Sequence, residues 1–206
     1  QGVYPLIIAG DVFGIANEDL HVVEFNGKLN LTKGAIECCD SIVTMSPQYA
    51  REIRLPEYSG GLDGILINCR NKIVGILNGI DTEEFDPATS RSLFVNYDAD
   101  TLDRKRENKL GLQRMLALPE EPDVPMLCMI SHLANYKGFD LLRKSINKVG
   151  PSGNLLDTNI QLVILGRGDA DIEGYLDHIQ KMYDRRVRLI VTHSPDLAQK
   201  VLAAAD

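Results

Sequence analysis

The chain has 206 residues, 44% hydrophobic and 25% charged, which is apolar material enough for one good core or parts of two. Its formal charge of −7 and its lack of any Lys/Arg block argue against a nucleic-acid surface. No apolar run approaches the roughly 20 residues of a membrane span and no signal-peptide pattern is present, so neither nucleic acid nor membrane is expected as a partner.

Val3 to Ala9 reads as a strand, which Pro5 pushes to a sheet edge or a strand start. The residues after it, up to Asn30, read as loop. Leu31 to Cys39 suggests a short helix ending at Asp40, and Ile42 to Met45 a compact strand. Ser46-Pro47 then opens a helix, with serine as N-cap and proline at the first helical position. Gly60-Gly61 breaks the chain. Leu62, Ile65, Leu66 and Cys69 follow at the spacing of one helical face. Lys72 to Leu77 is a further strand, ending in Asn78-Gly79, a pair suited to a turn. Asp81 to Asp98 is loop-rich, and a boundary or hinge is expected near 78–98. Asp100 to Leu116 reads as a charged surface helix, with Pro119 and Pro122 beyond its end.

From Val124 onward the alternation is regular. Strands are expected at 126–130, 160–165 and 187–192. Helical patterns lie between them, through Phe139, Leu142, Ile146 and Val149, then through Ile172, Tyr175, Leu176, Ile179, Met182 and Tyr183. Apolar strands alternating with helices imply an α/β fold whose parallel sheet is covered on both faces.

The stretch Met126 to Leu142 organises this half. It reads as buried strand, polar Ser131-His132, a loop carrying Lys137-Gly138, and then a helix. Ligands of open α/β sheets bind at strand C-terminal ends, where helix N-termini point free N–H groups. Lys137 there is either an ordinary solvated lysine or the charge that holds an anion, with phosphate the first candidate. Gly166-Arg167-Gly168-Asp169 follows the next strand. It is either a plain strand-to-helix turn, with Asp169 as N-cap, or a place where backbone approaches a ligand closely. The third strand ends in Thr192-His193-Ser194-Pro195, a second Ser-Pro cap. His132, Lys137, Gly166 and His193 are thus expected on one rim, although either histidine alone could be a satisfied loop residue. No Ser-His-Asp set, paired carboxylates or Walker lysine is visible, so the chemistry on offer is anion binding. Cys38 and Cys39 are adjacent and Cys69 and Cys128 stand alone, which gives no zinc or CxxC spacing and fits small core residues in a reducing cytosol. The four histidines are isolated, and no metal is expected.

Several stretches together resemble the bacterial glycogen synthase and plant starch synthase family. KGAIECCDSIVTMSPQYAREI is similar to its KAG-(x)-ADxxTxVSPTYAxEI segment, and GLDGIL with GILNGIDTEEFDP to its G-L-(D/E)-G-x-L and GxLNGxDxxxWxP. DTLDRKRENKLGLQ resembles K-x-x-N-K-x-x-L-Q, ISHLANYKGFDLL resembles SRLxxQKGxDL, and LVILGRGD resembles LLGxGD. Order and gaps agree from Phe25 to Asp206, while residues 1–24 match poorly.

The resemblance implies a GT-B fold: the C-terminal part of an N-terminal Rossmann-like, acceptor-side domain at 1–80, a hinge and connecting helix at 81–123, and the first half of a C-terminal Rossmann-like, nucleotide-sugar domain at 124–206. It implies transfer of glucose from ADP-glucose to the non-reducing end of an α-1,4-glucan, with retention, without cofactor or metal, in a bacterial cytoplasm or a plastid stroma. Oligomeric state stays open. The family's diphosphate-gripping lysine corresponds to Lys137, beside Gly138, its cleft asparagine to Asn78 and its glycine pair to Gly166 and Gly168. Two departures stand out. His132 replaces the arginine that partners the lysine on the diphosphate, losing a planar fork. His193 replaces the tyrosine that stacks near the base. The chain opens at Gln1 and closes on VLAAAD within a helical pattern, as part of a longer protein would. The family's KxGGL donor loop would lie upstream and its E-P-x-G-L loop downstream, so the 206 residues alone are not expected to turn over. The alternatives are a catalytically impaired relative that binds glucan or a partner subunit, and another GT-B nucleotide-sugar glycosyltransferase.

Overall fold

A computed structural model describes residues 1–148 and 153–206. The chain divides into two units, Gln1–Ile80 and Asp81–Asp206.

The first unit opens with β1 (Val3–Pro5), a 3₁₀ turn, and the one-turn helices α1 (Ala9–Phe13) and α2 (Leu20–Val23). The hairpin strands β2 (Glu24–Phe25) and β3 (Lys28–Asn30) follow. β3 lies in the middle, antiparallel to both others, so Pro5 sits on an edge strand where its missing N–H costs nothing. The apolar run to Ala9 does not stay extended, because the chain turns into a 3₁₀ helix at Leu6. The loop expected up to Asn30 is likewise replaced by short elements. Asn26 and Gly27, at φ 54° and 74°, form the two-residue turn joining β2 and β3. Both positions need left-handed backbone, which this pair adopts at little cost.

Next come α3 (Leu31–Cys38), β4 (Ile42–Thr44), α4 (Pro47–Glu52), α5 (Pro56–Ser59), α6 (Asp63–Asn68) and β5 (Ile73–Gly75). Asn30 caps α3 by accepting from the Lys33 N–H at 3.0 Å, and Ser46 caps α4 by accepting from the Tyr49 N–H at 2.9 Å. β4 and β5 pair in parallel, and β5 is shorter than the apolar run suggests. A Cβ on Gly75 would lie 2.2 Å from the Ser46 carbonyl oxygen, so only glycine lets the start of α4 cross β5. Ile36, Leu62 and Leu66 form this unit's small core, with Ile65 and Cys69 packed on it.

The second unit holds α7 (Lys105–Met115), β6 (Met126–Ile130), α8 (Phe139–Ile146), β7 (Gln161–Gly166), α9 (Ala170–Met182), β8 (Val187–Val191) and α10 (Pro195–Ala204). The strands are parallel in the order β6-β7-β8. β7 is buried along its whole length. Leu162 and Ile164 point into one core with Phe139, Ile146 and Leu176, while Val163 and Leu165 point into another with Leu112, Met126 and Val201. That alternation is the period of two of a strand covered on both faces. α8 ends at Ile146, and Val149, expected to extend it, lies outside the described residues.

α7 corrects the sequence reading twice. It starts at Lys105, after a 3₁₀ turn at Leu102–Arg104, and it is no surface helix. Asn108, Lys109, Gly111, Leu112 and Gln113 are buried. Charge hid this face, because its polar groups are satisfied inside the protein.

Candidate functional site

β6, β7 and β8 finish along one edge of their sheet, and the loops there enclose a cleft of about 430 Å³. Its polar lining comes from Ser131, His132, Arg167, Thr192, His193 and Ser194, and Gly166 forms part of the wall. The first two loops are knitted together by backbone bonds. Ser131 N–H donates to Leu165 O at 3.1 Å, Leu133 N–H to Arg167 O at 3.1 Å, and Asp169 N–H to Leu133 O at 2.8 Å. These continue the parallel ladder beyond the strands, ending in a single bridge between Leu133 and Gly168.

The glycine pair makes that closure possible. A Cβ on Gly166 would lie 1.9 Å from Ser131 O, and one on Gly168 2.2 Å from Leu133 O. What these two glycines approach is the neighbouring loop's backbone. Asp169 occupies the N-cap position of α9, but its side chain makes no capping bond. The Gly168 N–H donates instead to the Glu173 carboxylate at 2.8 Å, so an internal anion already occupies this amide. Ser194 does cap α10, accepting from the Leu197 N–H at 3.3 Å.

His132, Gly166 and His193 therefore come together around one cleft, with both imidazoles exposed. Lys137 and Gly138 lie further along the loop that carries His132, outside the cleft lining. That loop runs through a 3₁₀ turn at Asn135–Lys137, closed by Lys137 N–H to Ala134 O at 2.9 Å and Gly138 N–H to Asn135 O at 3.0 Å. Gly138, at φ 87°, turns the chain into α8, a conformation strained for any residue with a Cβ. Lys137 is exposed, its Nζ 5.6 Å from the centroid of the Tyr136 ring. Asn78 belongs to the first unit and is exposed on the stretch after β5. Among the described residues no cluster of His, Cys, Asp and Glu is arranged to hold a metal ion, and no helix is long and apolar enough to cross a membrane.

Sequence reasoning quoted Arg167 and Thr192 within the strand-end stretches without singling them out, and both line the cleft. Their position at the ends of β7 and β8 was the available signal. It also passed over a polar network on α7. Lys109, with 4% of its side chain exposed, donates to the Asp206 carboxylate at 2.5 Å and to Pro122 O at 3.0 Å. Asp206 also accepts from the Met126 N–H at 2.7 Å. Burial by itself raises the Asp206 carboxyl, but the Lys109 ammonium and the Met126 N–H leave it below the usual carboxylate value. Burial pushes the nearby Cys128 thiol up to about 11, which keeps it protonated and inert at neutral pH.

Fold and cleft together define an α/β protein of two units, each with a parallel sheet, and with a cleft at the strand ends of the second. A family model described as the starch synthase catalytic domain matches residues 1–68, including the stretch 1–24 that the motif comparison had set aside. The glycogen synthase of Caldicellulosiruptor saccharolyticus is 39% identical across all of this chain, which covers 43% of that protein. The glycogen synthase of Lactiplantibacillus plantarum is 40% identical, again across all of this chain and 42% of its own length. The catalytic domain of Starch Synthase IV from Arabidopsis thaliana, solved bound to ADP and acarbose, superposes on all of this chain and 42% of its own with a TM-score of 0.85 at 30% identity. Over its whole length the chain is similar to glycogen and starch synthases and has their GT-B type of fold, and it spans less than half the length of these relatives.

Proposed function

We propose that the chain is part of a glucan synthase that transfers glucose from ADP-glucose to the non-reducing end of an α-1,4-glucan, retaining the anomeric configuration. The observation that carries this reading is the cleft at the ends of β6, β7 and β8, in a chain that superposes along its whole length on a relative solved with ADP and acarbose. In this reading Lys137 and His132 face the donor diphosphate, aided by the amides that open α8 behind Gly138. A cation there stabilises negative charge as it builds on the leaving phosphate, a contribution that needs no metal. His193 stands at the base, Gly166 and Gly168 hold the two loops close enough to shape the wall, and Asn78 of the first unit corresponds to the family's sugar-side asparagine. The setting would be a cytoplasm or a plastid stroma.

The test is incorporation of label from ADP-glucose into glycogen by the intact protein, with α-1,4 linkage confirmed by enzymatic digestion. Lys137→Ala is expected to lower turnover about 100-fold or more. Incorporation from UDP-glucose but not ADP-glucose would point to another nucleotide-sugar enzyme.

A second reading rests on His132. Imidazole lacks the bidentate fork with which arginine grips phosphate, so the protein could bind glucan or a partner subunit without turnover. His132→Arg separates the two. A rise in turnover identifies a weakened enzyme, whereas no turnover in either form, with glucan binding retained, identifies a binding protein.

A further inference from the structure

The loop from Ser131 to Gly138 divides its side chains sharply. Leu133 and Ala134 are buried and anchor the backbone, while His132, Tyr136 and Lys137 stand in solvent. Tyr136 is 78% exposed, yet its backbone is fixed by the 3₁₀ turn, so the ring is presented by a held scaffold. The Lys137 Nζ lies 5.6 Å from its centroid, and the His132 ring centre lies 6.5 Å away with the planes tilted by 35°. A lysine ammonium on a flexible stem is drawn to the negative face of an aromatic ring within about 6 Å.

We propose that Tyr136 is a positioning residue for Lys137: its ring holds the ammonium beside the His132 side of the cleft, where a donor diphosphate meets it. The inference rests on the donor-binding reading above and adds to it the group that sets the lysine's place. A free lysine chain would lose rotamer freedom when it met the phosphate. A lysine already held against Tyr136 has given up part of that freedom beforehand, so binding is tighter.

The experiment is calorimetric titration of ADP into the intact protein and three variants, Tyr136→Leu, Tyr136→Phe and Lys137→Ala, with the double variant Tyr136→Leu/Lys137→Ala closing a cycle. Tyr136→Leu is expected to weaken ADP about two- to five-fold, the range of an exposed cation–π contact. Tyr136→Phe keeps the π face and is expected to bind like the unaltered protein. In the Lys137→Ala background the leucine substitution is expected to change nothing further, which a merely structural role for Tyr136 would not produce. If Lys137→Ala weakens ADP while Tyr136→Leu does not, or if the two losses simply add, the positioning role is overturned and the donor site stands. If ADP does not bind the unaltered protein, or Lys137→Ala leaves its affinity intact, the donor-binding reading falls and the positioning role falls with it.

Discussion

Two stretches of the second unit carry basic residues from motifs of the same family, and they treat them in opposite ways. On the inner face of α7, every polar group of the K-x-x-N-K-x-x-L-Q pattern has a partner inside the protein. Lys105 donates to Ala205 O. Asn108 accepts from the Phe94 and Val95 N–H groups at 3.1 and 3.2 Å and donates to Val95 O at 2.7 Å. Lys109 bonds Asp206 and Pro122, and Gln113 donates to Gln161 at 2.8 Å and to Glu121 O at 3.1 Å. On the loop between β6 and α8, His132, Tyr136 and Lys137 point to water. A recurring polar motif therefore does not by itself mean a ligand. Where its polar atoms are consumed internally it holds the fold, and where they are left outside it is free to meet something else.

The largest effect expected from this contrast is at Gln113, which is completely buried and makes three side-chain hydrogen bonds, two to the Glu121 backbone and one to Gln161. Gln113→Leu leaves the Gln161 amide oxygen and the Glu121 N–H and carbonyl without that partner, and it should cost about 3 kcal/mol in urea unfolding. The double variant Gln113→Leu/Gln161→Leu removes both ends of one bond and should recover part of that loss. A single variant as stable as the unaltered protein would break the claim that α7's inner face is structural.

A smaller effect is expected at the Lys109–Asp206 pair. Asp206→Ala leaves a nearly fully buried ammonium with one carbonyl partner, and should cost about 2 kcal/mol, less than a fully buried pair because Asp206 is half exposed. Lys109→Met keeps the packing of the stem and should cost about 1 kcal/mol. The order of the two matters most. If the methionine variant unfolds more readily than the alanine variant, the burial of the charge is not what makes the pair matter.

The same pair gives a dependence on pH. The folded Asp206 carboxyl lies below its ordinary value, so its contribution is complete above about pH 4 and is lost as pH falls through the depressed folded value. A half-exposed carboxylate is screened, which limits the effect to a fraction of a kcal/mol. Unfolding of the unaltered protein should therefore lose more stability between pH 5 and 3 than unfolding of Asp206→Asn, and parallel losses would show that other carboxylates dominate. (Those pH limits are about one unit either side of the ordinary aspartate value.)

Most of the second unit could be read from the letters. Its strands are apolar runs long enough to stand out, and Ser194-Pro195, like Ser46-Pro47 in the first unit, marks a helix start by a mechanism that acts within four residues. The β2–β3 hairpin was missed because its strands are two and three residues long, too short for alternation to show, although Asn26-Gly27 was the signal that could have found it. The buried face of α7 was hidden for a different reason. Its partners lie at residues 94–95, 121–122, 161 and 205–206, and no local pattern records them. At the cleft, the shared edge of three parallel strands follows from their alternation with helices. The reason for Gly166 and Gly168 does not, since the atoms they must clear belong to Ser131 and Leu133 on another loop.

The smallest expected effect sharpens the comparison from the other side. If the β6–α8 loop is held by its backbone bonds and by buried Leu133 and Ala134, then its outward side chains contribute nothing to folding. His132→Ala, Tyr136→Leu and Lys137→Ala should each change the unfolding free energy by less than about 0.5 kcal/mol, as exposed substitutions away from caps and packing do. Thermal and urea unfolding of these three, beside Gln113→Leu, measures both stretches on one scale. Should any of the three unfold as readily as the α7 variant, the loop's side chains belong to the scaffold. Their exposure would then say nothing about a ligand. Stabilities that stay level while ADP affinity falls place them on the side of binding, because a group that does nothing for the fold and weakens the complex when removed has its partner outside the protein.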